Sequence, residues 1–254
     1  MTADACAALV QRGDPDRFAA VMAAPLAARE ALFILYAFNL EIARAPWVSK
    51  EPMIAEMRLQ WWRDVVAEPA PRAHEVAGPL HGLIGWAGLP QDVLDRLIAA
   101  RRWDIYREAF ADRAAFDAHI DDTAGGLMWL AARALGAPDG AEPVVRDYAW
   151  AAGLCGWLRA VPGLEDRGCL PLVDGRPAAV ASLAREGLTR LARARAARKT
   201  LPRDLAPALL TGWQTGALLR RVVDDPACVA EGRLELSEFS RRGRLLWQAV
   251  SGRW

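Results

Sequence analysis

Apolar side chains along this chain return every three or four positions rather than every second one, and that period places them on helices. Residues 31–38, Ala-Leu-Phe-Ile-Leu-Tyr-Ala-Phe, are apolar all round, the pattern of a central helix buried on every side. Val93, Leu94, Leu97, Ile98 and Ile105 recur near helical spacing with acids and arginines between them, which predicts one-sided packing against that core. Further helices are predicted over 52–67, 114–135, 143–159, 178–199, 205–223 and 238–250. Pro90 suits a helix start and Ser237 a cap on the last helix. With abundant Ala, Leu and Arg, no strand-like alternation and no internal repeat, the expectation is an all-α helical bundle.

Composition narrows the class. A chain of 254 residues can bury one large core, and no charge block, low-complexity tract or long Gly/Ser linker divides it, so a single domain over 1–254 is expected. Lys and Arg total 32 against 31 Asp and Glu, a balance that gives no global pull toward nucleic acid. Cys6, Cys155, Cys169 and Cys228 have neither zinc spacing nor the density of a disulfide scaffold, so reduced thiols are expected. Asp4 and the lack of a basic-then-apolar lead predict no secretory signal and a cytoplasmic chain. The apolar stretch 31–38 falls far short of the roughly 20 residues a membrane-spanning helix needs.

Several features carry a plain reading beside a functional one. Trp61-Trp62 and the total of 11 tryptophans suit core filling or, alternatively, an apolar ligand pocket. Gly125-Gly126 suits close helix packing or close approach of a ligand to backbone. His74, His81 and His119 lack tight spacing to cysteines or acids, so no metal role is expected of them. Arg185, Arg190, Arg193, Arg195, Arg198 and Lys199 cluster on one predicted helix, and Arg241, Arg242 and Arg244 precede Leu245-Leu246-Trp247. Both clusters read first as solvated faces, and second as surfaces for an anionic membrane or a partner helix.

Four ordered blocks carry a family resemblance. The first runs from Arg17-Phe18 through Ala24-Pro25 and Arg29 to Tyr36-Ala-Phe-Asn-Leu-Glu-Ile-Ala-Arg44. The second is Arg58-Leu-Gln-Trp-Trp-Arg-Asp64, and the third is Phe116-Asp117 followed by Gly125-Gly-Leu-Met128. The fourth is Gly153-Leu-Cys-Gly-Trp-Leu-Arg-Ala-Val-Pro162 followed by Asp166-Arg-Gly168 and Leu170-Pro171. Together they resemble the squalene/phytoene synthase family. The resemblance implies the all-α isoprenoid-synthase (terpenoid synthase) fold, a single helical bundle around a central cavity, and in active members the head-to-head joining of two prenyl diphosphates.

The family's two Asp-x-x-x-Asp motifs place carboxylates on one helical face to hold Mg²⁺ against substrate diphosphate. Laid on this chain without gaps, they fall on Ala43 and Trp47 and on Ala160 and Leu164, so all four carboxylates are missing. The Gln and Asn before the second motif fall on Gly153 and Gly156, and the arginine pair before the first on Leu40 and Glu41. Arg159 alone remains of the phosphate-binding set. Pro46 and Pro162 are expected to end or kink the two motif helices. On continuous helices Glu41 points about 200° from Ala43, and Glu165 and Asp166 about 100° and 200° from Leu164.

Two functions follow as expectations. The Tyr36–Arg44 and Arg58–Asp64 segments resemble the motif-degenerate branch of the family that serves assembly of respiratory complex I. That resemblance implies a non-catalytic binding or assembly protein without a metal cofactor. Its partner would be a protein, a complex I subunit in this reading, and its place the cytoplasm or the periphery of the inner membrane. Arg44, Arg63 and Arg159 are its candidate pocket residues, able to hold an anion or the head of a prenyl or lipid ligand without metal. The alternative is a Mg²⁺-dependent prenyltransferase whose acids have moved, which requires Asp64, Asp121, Asp122, Glu165 and Asp166 to converge on one cavity.

Overall fold

The structure, a computed structural model, describes residues 3–254 and contains no strand among them. Helix α1 (Ala3–Gly13) turns into α2 (Pro15–Met22), where the Asp14 carboxylate accepts from the Arg17 amide at 2.9 Å and Pro15 supplies a preset first turn. Helix α3 (Leu26–Arg44) is the central rod. Every residue from Ala31 to Phe38 is buried, and each fully buried Leu or Phe contributes about 1.5–3 kcal/mol. Gly13 lets α1 close on α3, since a methyl there would stand 2.9 Å from a Leu40 methyl.

Against α3 lie α4 (Pro52–Ala67) and α5 (Ala77–Ala87), and α6 (Gln91–Ala99) and the short α7 (Arg102–Tyr106) pack on α4. Trp62 meets Phe38 edge-to-face at 5.4 Å, and Trp61 and His74 pack beside it, so the tandem tryptophans are core filling. Pro90 starts α6 as expected. The periodic stretch through Ile105 is two helices rather than one, with α7 ending on Arg107 at φ 56°.

Helices α8 (Arg113–Ile120) and α9 (Gly126–Ala134) form one rod joined by a π turn, Asp121–Gly125. Helix α10 (Glu142–Glu165) crosses that turn at Gly153, where an added methyl would lie 2.4 Å from the Ala124 methyl. Gly125 and Gly126 are packing glycines as well: methyls there would meet the Asp121 carboxylate at 2.6 Å and Val93 at 3.4 Å. Helix α11 (Pro177–Ala196) lies along α10.

Two sequence expectations need correction. The helix expected over 205–223 is broken into α12 (Ala206–Leu209), a single tight turn at Leu210–Gly212, and α13 (Thr215–Asp224). The Tyr148 ring lies against the backbone at Gly212, where a methyl would come within 2.5 Å of it. Pro46 does end the α3 helix, in a 3₁₀ turn, but Pro162 does not end α10. The helix runs on through Pro162 to Glu165, and Gly168 at φ 80° closes the end with Cys169 N–H donating to Leu164 C=O at 3.0 Å. After α14 (Ala227–Ala230), the last helix α15 (Glu238–Ser251) starts on Ser237, whose hydroxyl accepts from the Ser240 amide at 3.3 Å.

Candidate functional site

The two motif windows stand at the adjoining ends of α3 and α10. Trp47, just past α3, receives the guanidinium of Arg167, just past α10, at 4.5 Å from its ring centroid, and that of Arg107 at 5.2 Å. Arg107 also donates to the Arg167 carbonyl at 2.9 Å. At Trp47, one of the positions onto which the family motif was laid, an indole is clasped by two cations, an attraction between positive charge and the ring face. Ala43 is half-buried, Leu164 is buried and Ala160 is exposed. None of the four motif positions offers an oxygen donor.

One carboxylate is buried nearby. Asp104 on α7 is only 7% exposed, and its acid range is pushed up to about 6 by burial, against the pull of Arg101, Arg167 and Arg107. Arg101 itself donates to the Asn39 amide oxygen at 3.0 Å and sits 4.0 Å from Asp104. A single carboxylate ringed by three guanidinium groups does not fit a magnesium ion, which takes oxygen ligands in octahedral array and is repelled by cations. Beside it Trp103, Phe110, Phe116, His119 and Trp157 form an aromatic wall with neighbouring centroids 5.0–6.1 Å apart. Burial and Arg101 drive the His119 imidazolium range down to about 3, so the ring is neutral.

The three candidate arginines have separate partners. Arg63 is held bidentately by Asp95 at 2.6 and 3.0 Å. Arg44 is largely exposed and lies 3.6 Å from Glu41. Arg159 donates to Asp16 at 3.1 Å, and the same carboxylate accepts from Gln214 at 2.9 Å and from Arg241 of α15. Burial opposes ionisation of Asp16, yet Arg159, Arg241 and Gln214 together hold it below the usual carboxylate range. One guanidinium nitrogen of Arg159 is thus engaged from within the chain. The cavity beside Arg159, about 310 Å³, has Gly156, Arg159 and Ala160 on one wall and Val229, Gly232 and Leu234 on the other. Neither Arg44 nor Arg63 lines it.

The candidate replacement acids are apart. Asp121 pairs with Arg146 at 2.8 Å, Asp122 lies 3.5 Å from Arg96, and Asp64 accepts from Gln60 at 2.8 Å. Glu165 and Asp166 are exposed at the end of α10. Among the described residues no three His, Cys, Asp or Glu side chains form a group able to hold a metal ion.

Residue reasoning missed Arg101, Asp104, Arg107 and Arg167. The signal was present as Arg101-Arg-Trp-Asp-Ile-Tyr-Arg107, a dense run of charge on a helix too short to expose all of it.

These features agree with what the chain is similar to. Its fold matches a dehydrosqualene synthase crystallised in complex with ligand, with a TM-score of 0.81 over 98% of this chain and 95% of that one at 13% identity. It matches squalene synthase HpnC of Alicyclobacillus acidocaldarius with a TM-score of 0.73 over 91% and 94% at 16% identity. The molecule therefore has the all-α isoprenoid-synthase fold. The squalene/phytoene synthase model matches residues 10–173, and the chain belongs to that family. Among curated proteins, the complex I assembly factor 6 homolog of Drosophila melanogaster is 29% identical over 179 residues, 66% of this chain and 53% of that protein. Assembly factor 6 of Homo sapiens is 25% identical over 161 residues, 62% and 48%. The chain spans about half the length of these relatives.

Proposed function

We propose that this protein is a non-catalytic member of its family that acts, without a metal cofactor, as an assembly factor for the NADH:quinone oxidoreductase, respiratory complex I, by binding a protein subunit in the cytoplasm. The observation that carries the non-catalytic half is the replacement of all four motif oxygens by Ala43, Trp47, Ala160 and Leu164, with the guanidinium groups of Arg107 and Arg167 drawn onto Trp47. Loss of a prenyl diphosphate's pyrophosphate group requires its developing charge to be neutralised, and metal held by carboxylates does that in the family. Here Arg159 already shares the Asp16 carboxylate with Arg241. The assembly half is supported by the relatives named complex I assembly factor 6.

Two experiments test the halves separately. Incubated with farnesyl or geranylgeranyl diphosphate and Mg²⁺, the purified protein is expected to release no diphosphate and form no C30 or C40 hydrocarbon. Product above a blank without protein refutes the non-catalytic reading. Deleting the gene is expected to lower assembled complex I and leave isoprenoids unchanged; normal complex I in the deletion strain removes the partner and leaves the chemistry untouched.

A further inference from the structure

Helix α15 keeps Leu245 and Ala249 against the core yet turns its other large apolar side chains outward. Phe239, Leu246 and Val250 lie within about 40° of one another on the helical wheel, and all three point outward, exposed by 90%, 66% and 79%. Trp247, 63% exposed, flanks the stripe. The inward face is mixed: Leu245 and Ala249 pack against the core, while buried Gln248 donates to the Trp213 carbonyl at 3.1 Å and Arg241 reaches in to Asp16. The apolar stripe runs about 16 Å along the helix and has no cover among the described residues.

The stripe runs into an open groove of about 1060 Å³ between α15, the start of α3 and the end of α9. Trp86 of α5, 76% exposed, stands on its rim, and Leu26, 80% exposed, lies between the lining residues Pro25 and Ala27. Arg198, Lys199, Arg203 and Arg253 also line the groove, with Asp204 the one acid among its lining residues. None of these four cations has a carboxylate partner among the described residues.

We propose that this face, the outward stripe of α15 with the basic groove beside it, docks peripherally on an anionic phospholipid bilayer. A bilayer surface supplies both things the face lacks, an apolar layer for aromatic and aliphatic side chains and a sheet of negative charge for the unpaired cations. Tryptophans at the rim suit the interfacial layer. Docking on the surface needs no spanning segment, and no helix is long and apolar enough to cross. The proposal is independent of the role in complex I assembly, because it concerns lipid alone.

Co-sedimentation of the full chain with phosphatidylcholine vesicles, and with vesicles in which about a third of the lipid is phosphatidylglycerol, tests it. Binding to the anionic vesicles is expected to exceed binding to the neutral ones at least tenfold, to weaken as salt rises, and to fall about fivefold for each cation removed. Leu246→Glu with Val250→Glu, and separately Lys199→Glu with Arg203→Glu, are expected to abolish it while the circular dichroism stays that of the parent, since these side chains are not core. Sedimentation with neither vesicle, equal sedimentation with both, or unaltered binding by either double variant overturns the proposal. A failure with vesicles, together with failure of the same variants to restore complex I in the deletion strain, assigns the face to a protein partner instead.

Discussion

Asp16 shows how one carboxylate can tie distant parts of a chain together. It draws together Arg159 of α10, Arg241 of α15 and Gln214, tying three distant parts of the chain to the start of α2. Its side chain is about one-fifth exposed, so solvent screens only part of the attraction, and Asp16→Asn is expected to cost about 1–3 kcal/mol in urea unfolding at neutral pH. The sign with pH follows from the lowered range of Asp16. A carboxylate held below its unfolded value stabilises the fold above that value, and the stabilisation is lost as pH falls through the folded one. The gap between parent and variant should therefore close in acid, and a gap that persists or widens there contradicts the assignment. Nothing in the spacing of Asp16, Arg159 and Arg241 announces this pairing, because it depends on how three helices converge.

At the scale of elements, most helices were legible from periodicity alone. The helix predicted over 52–67 is α4 to the residue, and α3 and α15 carry the predicted burial and cap. What periodicity could not reveal is where tertiary contact bends a helix from outside. The break at Leu210–Gly212 answers to the Tyr148 ring, and the crossing at Gly153 to the π turn. The two glycines that replace the family's Gln and Asn therefore differ. Gly153→Ala forces a methyl to 2.4 Å from Ala124 and is expected to destabilise by about 1–3 kcal/mol. Gly156 faces open space within the same helix, and Gly156→Ala is expected to stabilise by about 1 kcal/mol. Thermal unfolding of the pair reads both signs, and a neutral Gly153→Ala would mean that the crossing is looser than described.

For the molecule as a whole, the isoprenoid-synthase fold is combined with cations, rather than a cluster of carboxylates, around Trp47 at the end of α3. Absence of the motif acids was legible in the sequence; the cations at Trp47 were not, because Arg107 and Arg167 come from outside both motifs and reach Trp47 only through the fold. This arrangement has a consequence that needs no substrate. A ligand that binds only the folded chain adds about 2.7 kcal/mol at a hundred times its Kd, and a kilocalorie raises the midpoint of a chain this size by about 2–4 °C. A magnesium site of about 0.1 mM affinity would therefore raise the midpoint by roughly 5–10 °C in 10 mM Mg²⁺. No rise beyond that given by matched ionic strength is expected, for the parent or for Ala43→Asp with Ala160→Asp, which returns one carboxylate to each helix. Two acids supply too few oxygen ligands for the ion, and the guanidinium groups of Arg107 and Arg167 stand on Trp47 at the end of α3. A magnesium-specific rise in the parent would mean that oxygen ligands do converge between α3 and α10; a rise in the double variant alone would mean that the missing carboxylates, rather than the added cations, are what excludes the metal.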